Sequence, residues 1–340
     1  MGDAVAPEIA ATDYHTAGEP FRIVTGGVDS IGGETVAGRR VNASLPHIDR
    51  VRQLLVQEPR GHADMYGCFV VPPDDAGADL GVVFWHKDGY STACGHGTIA
   101  LGAWAIDSGL VSADDNGTTD VTIDVPSGRV VARVHRSNGS TRSVTFRNVP
   151  SYVVARDIPV ATSRGHVSVD LSWGGALYAS LPAASVDLEV SRELYRDLID
   201  VGREIKWALN DSKLAQHPHD DRLSGVYGTI LFDALPSAAD GPVQRNVTIY
   251  ADGAVDRSPC GSGTAARVAL LHDDGSLAPG QTLTHHSLID TTFIARVADS
   301  VTLDGHPAVV PEVSGMAYRT GEHVFTLDAD DPVGTGFVLR

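Results

Sequence analysis

The chain has 340 residues, 42% of them hydrophobic and 20% charged, and a formal net charge of −17. That length builds one large or two ordinary domains whose core needs neither disulfides nor a structural metal. The acidic balance excludes a nucleic-acid surface, which needs clustered Lys and Arg, and no apolar run reaches membrane-spanning length.

Residues 1–11 read as a short irregular lead without the basic and apolar regions of a signal peptide. From Ile9 onward, short apolar runs are split by Gly, Pro, Asp and Asn. Phe21 to Val24, Cys68 to Val71, Leu80 to Trp85, Val121 to Val125, Arg129 to Val134, Val144 to Phe146 and Val247 to Tyr250 read as strands. Helical periodicity is confined to Ile48–Leu55, Val190–Leu209, Gly97–Asp107 and Gly263–His272. Many strands with few long helices give an α+β class.

The cysteines are three, Cys68, Cys94 and Cys260. An odd, sparse set without a Cys-x-x-Cys pair fits neither a disulfide framework nor a zinc ribbon, and reads as a reduced, cytoplasmic protein. Cys68 sits in an apolar run and reads as a buried core thiol. The other two sit in a repeat. Cys94-Gly95-His96-Gly97-Thr98-Ile99-Ala100 aligns with Cys260-Gly261-Ser262-Gly263-Thr264-Ala265-Ala266, and in the same register Asp107 falls on Asp273 and Gly109 on Gly275. Two related halves follow.

Each copy opens a helix with a bare Gly-rich turn. Its first N–H groups have no intrahelical partner and lie at the positive end of the helix dipole, where they suit a carboxylate. A cysteine there has its thiolate favoured. Two such turns facing each other place a thiol on either face of an acid's Cα, with donors aimed at the charge that builds on the carboxylate as the proton leaves. No nucleotide loop or pyridoxal site is present, so a cofactor-independent, metal-free reaction is expected.

Three other readings compete. A nucleophilic-cysteine hydrolase would pair Cys94 with a histidine but leaves the second matched cysteine unused. A metal enzyme would need His217-Pro218-His219-Asp220-Asp221, which reads as a solvated loop. A non-catalytic amino-acid-binding protein would need the cradle and not the thiols. His15 and His62 are further candidates to approach the site, and Trp173 and Tyr178 to line it.

The sequence resembles the proline racemase family, which holds proline racemases, 4-hydroxyproline 2-epimerases and trans-3-hydroxy-L-proline dehydratases. The matching strings run almost end to end: Asp13 to Pro20, Glu58 to His62, Cys94 to Ile99, Trp173 to Ala176, Asp256 to Thr264 and Pro311 to Gly315. The resemblance implies a diaminopimelate-epimerase-like fold, two pseudo-symmetric halves each with a sheet wrapped around a central helix. It implies a first half of about 1–155 plus 320–340 carrying Cys94, and a second of 156–319 carrying Cys260. It makes Cys94 and Cys260 the catalytic thiols. Gly95, His96, Gly261 and Ser262 would hold the carboxylate and ring of proline or a hydroxyproline, and Asp256 the ring ammonium. A homodimer is compatible with it.

Within the family the signals divide. Both cysteines are present, as a two-base racemase or epimerase requires, whereas dehydratases commonly carry Thr at the second position. Yet Glu58 to Gly67, Tyr227 to Leu231 and Gly336 to Arg340 look like the dehydratase branch, and Gly174 to Tyr178 departs from the Gly-Gly-Asn usual in hydroxyproline epimerases. Inversion at Cα is the first expectation and dehydration the second.

Overall fold

The computed structural model describes residues 8–339. In chain order its elements are β1 (Ile9–Thr16), β2 (Glu19–Gly26), α1 (Val36–Ala43), α2 (Pro46–Val56), β3 (Tyr66–Val71), β4 (Leu80–His86), β5 (Gly89–Tyr90), α3 (Gly95–Asp107), β6 (Gly117–Val125), β7 (Gly128–Ser137) and β8 (Ser140–Arg147). There follow β9 (Tyr152–Thr162), β10 (Gly165–Trp173), β11 (Leu177–Pro182), α4 (Tyr195–Asn210), β12 (Val226–Ala238), β13 (Gly241–Tyr250), β14 (Ala254–Asp256), α5 (Gly261–Asp273), β15 (Leu283–His286), β16 (Thr292–Leu303), β17 (His306–Gly315) and β18 (Ala317–Phe325).

The strands pair as two runs. One runs β18, β1, β2, β3, β4, β6, β7, β8 around α3. The other runs β9, β10, β11, β12, β13, β15, β16, β17 around α5. They join where β17 pairs with β8. The parallel steps fall at matching places, β2 beside β3 and β4 beside β6 in the first, β11 beside β12 and β13 beside β15 in the second. In each lobe the central helix is the crossover of the second parallel step. The internal repeat therefore extends to the whole order of strands. One position differs: the strand flanking β10 is its own predecessor β9, whereas the strand flanking β1 is β18 from the far end of the chain. On this pairing we propose lobe boundaries beside Ser151 and beside Gly315.

The central helices are apolar all round because sheet surrounds them. Residues Gly95 to Ala105 and Gly261 to Leu271 are buried without a break. Both helices end alike, with Gly109 at φ 75° and Gly275 at φ 78° turning the chain out, and with Val111 and Leu277 amides returning to Ala105 and Leu271 carbonyls. By contrast α4 is amphipathic and buries only Leu198, Val201, Gly202, Ile205, Lys206 and Leu209.

Two expectations change. The expected irregular lead over 1–11 lies partly outside the described residues, and Ile9 to Ala11 already belong to β1, where Ile9 and Ala11 face the core. The helix expected from Val190 begins at Tyr195: the Val190 amide is taken at 2.8 Å by the Asp233 carboxylate, and its side chain anchors in the second core rather than entering a helical turn.

Candidate active site

Cys94 and Cys260 are the N-cap residues of α3 and α5, and each is 4% exposed. The two helix starts touch. A Cβ on Gly95 would lie 2.6 Å from the Gly261 backbone, and one on Gly261 would lie 2.6 Å from the Gly95 backbone, so only glycine permits the approach. Gly97 and Gly263 leave room for the sulfurs, because a Cβ there would sit 2.7 and 2.9 Å from Sγ of Cys94 and Cys260 respectively. The amides of Gly95, His96, Gly261 and Ser262 are thereby gathered at one point, and no acceptor among the described residues takes them.

The two thiols are held differently. Cys94 is extended (φ −154°) and accepts the Gly97 amide at 3.2 Å. Cys260 sits at φ 61°, ψ 105°, a conformation that a side-chain-bearing residue adopts at a cost of about 1–3 kcal/mol, and it donates toward the Tyr178 hydroxyl at 3.7 Å. The Tyr178 hydroxyl in turn bonds Ser262 Oγ at 2.6 Å.

Around them lies a buried polar shell. His96 places Nε2 3.4 Å from Cys94 Sγ and Nδ1 3.6 Å from Asp256 Oδ2. Asp256 Oδ1 accepts the Ser258 amide and hydroxyl at 2.8 and 2.6 Å. Glu19, wholly buried, accepts the Arg257 amide at 2.7 Å and the Tyr250 hydroxyl at 3.4 Å, while the Arg257 guanidinium pairs with Asp64 at 2.7 Å. Burial and then the Asp256 charge hold the Glu19 carboxyl well above its ordinary range.

The sequence led us to expect thiolates at the helix starts. In the closed site, burial pushes both thiols up instead. At Cys94 the Gly97 amide opposes this while Asp256, Cys260 and Glu19 add to it; at Cys260 Asp256 adds to it while Gly263, Tyr178 and Thr248 oppose it. Helix-start donors are present, but desolvation and nearby carboxylates outweigh them.

Cys94, Gly95, His96, Asp256, Cys260, Gly261 and Ser262 thus converge as the sequence suggested. Tyr178 joins them; Trp173 does not, lying with Tyr152 and His217 on a separate cleft of about 790 Å³. His15 stacks on Tyr318 and His62 bonds the Ala63 carbonyl at the surface, so neither reaches the thiols. Cys68 is a fully buried strand residue of β3. The loop with His217 and His219 packs by ring contacts and a His219–Asp304 pair at 2.6 Å.

Sequence reasoning assigned no role to Glu19, Tyr66, Ser91 or Tyr227. Tyr66 and Tyr227 were detectable as a second repeat, because Tyr66-Gly67 opens β3 and Tyr227-Gly228 lies at the start of β12, the matching strand. Their hydroxyls meet at 3.0 Å.

A family model described as proline racemase matches residues 11–338. The chain is 41% identical over 330 residues to a trans-3-hydroxy-L-proline dehydratase of Bacillus thuringiensis subsp. konkukian, covering 96% of this chain and 97% of that one. It is equally 41% identical over 337 residues to a 3-hydroxyproline 2-epimerase of Burkholderia multivorans, covering 99% of each. A crystal structure of a hydroxyproline epimerase from Agrobacterium vitis, with trans-4-hydroxy-L-proline bound, superposes with a TM-score of 0.90 at 30% identity, covering 98% of this chain and 96% of that one.

Proposed function

The chain belongs to the proline racemase family, and from that premise we propose that it inverts Cα of a hydroxyproline, 3-hydroxyproline before others, with Cys94 and Cys260 as paired acid and base and without a cofactor. The observation that carries this reading is the pair of matched, buried thiols on two helix starts in contact. A reaction needing only one base has no use for the second.

In this reading the substrate carboxylate sits on the amides of Gly95, His96, Gly261 and Ser262, which stabilise the charge that accumulates as Cα loses its proton. The ring ammonium faces Asp256. It cancels part of the negative charge that holds both thiols up, so substrate itself brings one of them toward ionisation. One cysteine removes the Cα proton as thiolate. The other, still a thiol, returns a proton from the opposite face, and the pair ends with roles exchanged. The carboxylate and ammonium ends fix the ring between the sulfurs.

The dehydratase reading is favoured by one observation of its own: the Tyr178 hydroxyl, 3.7 Å from Cys260, is a donor able to protonate a departing hydroxide. Incubation with trans-3-hydroxy-L-proline in D₂O followed by NMR separates the two. Inversion predicts deuterium at Cα of the product of opposite configuration; a cyclic imine with little inverted amino acid would overturn it. Activity is expected to survive exhaustive dialysis against EDTA.

A further inference from the structure

Tyr66 and Tyr227 occupy matching places in the two lobes, and the pseudo-twofold brings their hydroxyls together at 3.0 Å. The symmetry ends one residue further on. Tyr66 also bonds the Ser91 hydroxyl, whereas the residue that matches Ser91, three before the second cysteine, is Arg257 and turns away to Asp64. A chain of three hydroxyls therefore stands on one side of the site only.

Its hydrogen-bond accounting leaves a remainder. Three hydroxyls carry three protons, and the two bonds among them use two. The third proton has no acceptor among the described residues, and spare lone pairs remain on the oxygens. Ser91 and Tyr66 are 3% and 1% exposed, while Tyr227 is partly exposed and with Ser91 lines an open cleft of about 250 Å³, so a ring seated over the chain displaces the water that would otherwise meet the need. The Tyr66 ring lies edge-on to His96 at 5.0 Å, and the Tyr227 ring edge-on to Tyr178 at 5.6 Å. The chain thus borders the space between the thiols.

We infer that the Ser91–Tyr66–Tyr227 hydroxyls are the receptor for the C3 hydroxyl of the substrate ring and set the preference for a hydroxylated over an unsubstituted cyclic imino acid. A secondary alcohol both donates and accepts, so it takes the surplus proton and returns one to a spare lone pair. An unhydroxylated ring would leave the buried donor unpaired, the kind of mismatch that discriminates strongly. The receptor is complete only when both lobes meet, since Tyr227 belongs to β12 and the other two to the lobe of α3.

This inference rests on the ring being that of a proline derivative, as proposed above, but its test reads binding and not turnover. Dissociation constants for trans-3-hydroxy-L-proline and L-proline are measured by calorimetry on the parent protein and on Tyr66→Phe, Tyr227→Phe and Ser91→Ala. The parent is expected to favour the hydroxylated ligand by about ten- to a hundredfold, and the variants to bring that ratio close to one. Tyr66→Phe keeps the ring and its packing, and Ser91→Ala tests the same chain where a tyrosine change fails to fold. A parent ratio near one, or a ratio preserved while both ligands weaken equally, would overturn the inference and leave the chain as a tie between lobes. Discrimination lost in the variants with no Cα exchange in the parent would instead sink the proposed reaction and leave the receptor standing.

Discussion

At the scale of single residues, the two cysteines are not equivalent, and this shapes how they are tested. Cys260 carries a positive φ, so Thr there adds β-branch strain to the change of chemistry, and Ser is the cleaner probe. Cys260→Ser is expected to lower inversion in both directions by at least about a hundredfold, the lower range of what a positioned acid or base contributes. Loss in one direction only would contradict the exchange of roles. Glu19 offers a second test, by pH. Its folded pKa is raised above the ordinary 4.5, so between that value and its folded pKa the native state holds a proton that the unfolded chain has released. Stability contributed at acid pH is then lost as pH rises through that window. Glu19→Gln keeps an acceptor for the Arg257 amide and cannot ionise. It should flatten the fall, gaining about 1.4 kcal/mol at pH 8 for each unit of elevation removed, read by urea unfolding at pH 5 and 8. Cys94 and Cys260 stand out in the sequence because their repeated motif is local, whereas Asp256 is singled out only by the family motif that precedes Cys260. Glu19 and Ser91 do not stand out, and the repeated Tyr-Gly of Tyr66 and Tyr227 does not reveal what those hydroxyls meet, because their partners lie 25 to 238 residues away.

At the scale of elements, the sequence revealed the central helices through their starts. Cys-Gly-x-Gly-Thr specifies a bare turn, and the structure adds why the first glycine of each is required: the two starts are in backbone contact. Gly95→Ala would place a methyl 2.6 Å from the Gly261 backbone, which cannot give way as a side-chain tip does. The helices must separate, at about 1–3 kcal/mol of overpacking and with the amide cradle pulled apart. Activity should fall by more than a hundredfold while circular dichroism stays that of a folded chain; retained activity would show that the starts need not touch. Strands were legible from alternation, but their partners were not. Nothing in the pattern of β18 announces that it flanks β1, because edge pairing across about 300 residues is set by the closure of the sheet around α3 and not by local preference. The start of α4 was missed for a related reason, since Asp233 lies on a strand far along the chain.

At the scale of the whole molecule, Cys94 and Cys260 lie in a seam between lobes and are each 4% exposed, so access to them is expected to require the lobes to part. Several polar links cross that seam: Arg40 donates to the Arg222 carbonyl at 2.9 Å, the Asp252 amide to Asp88 at 2.8 Å, and Thr92 to the Gly175 carbonyl at 2.9 Å. Of these the Arg40 and Asp252 contacts are exposed, and the first, made by a side-chain donor, is the one a substitution removes. Iodoacetamide labelling of Cys94 and Cys260 in the native protein should run at the intrinsic thiolate rate multiplied by the population of the open state. Removing one such hydrogen bond is worth about 0.5–1.5 kcal/mol, so Arg40→Ala should speed labelling of both by about two- to tenfold. Pyrrole-2-carboxylate, a planar analogue with the carboxylate that the helix starts would hold, should slow it in parent and variant alike. Cys68 supplies the control within the same molecule. It is fully buried in β3, hydrogen-bonded between β2 and β4 of the first lobe, so its labelling is expected to report global unfolding. Quantified by peptide mass spectrometry, Cys94 and Cys260 should react well ahead of Cys68, and Arg40→Ala should widen that gap. If all three cysteines react together, or if Arg40→Ala leaves the Cys94 rate unchanged, then the seam does not open as a unit and access to the site follows some other path.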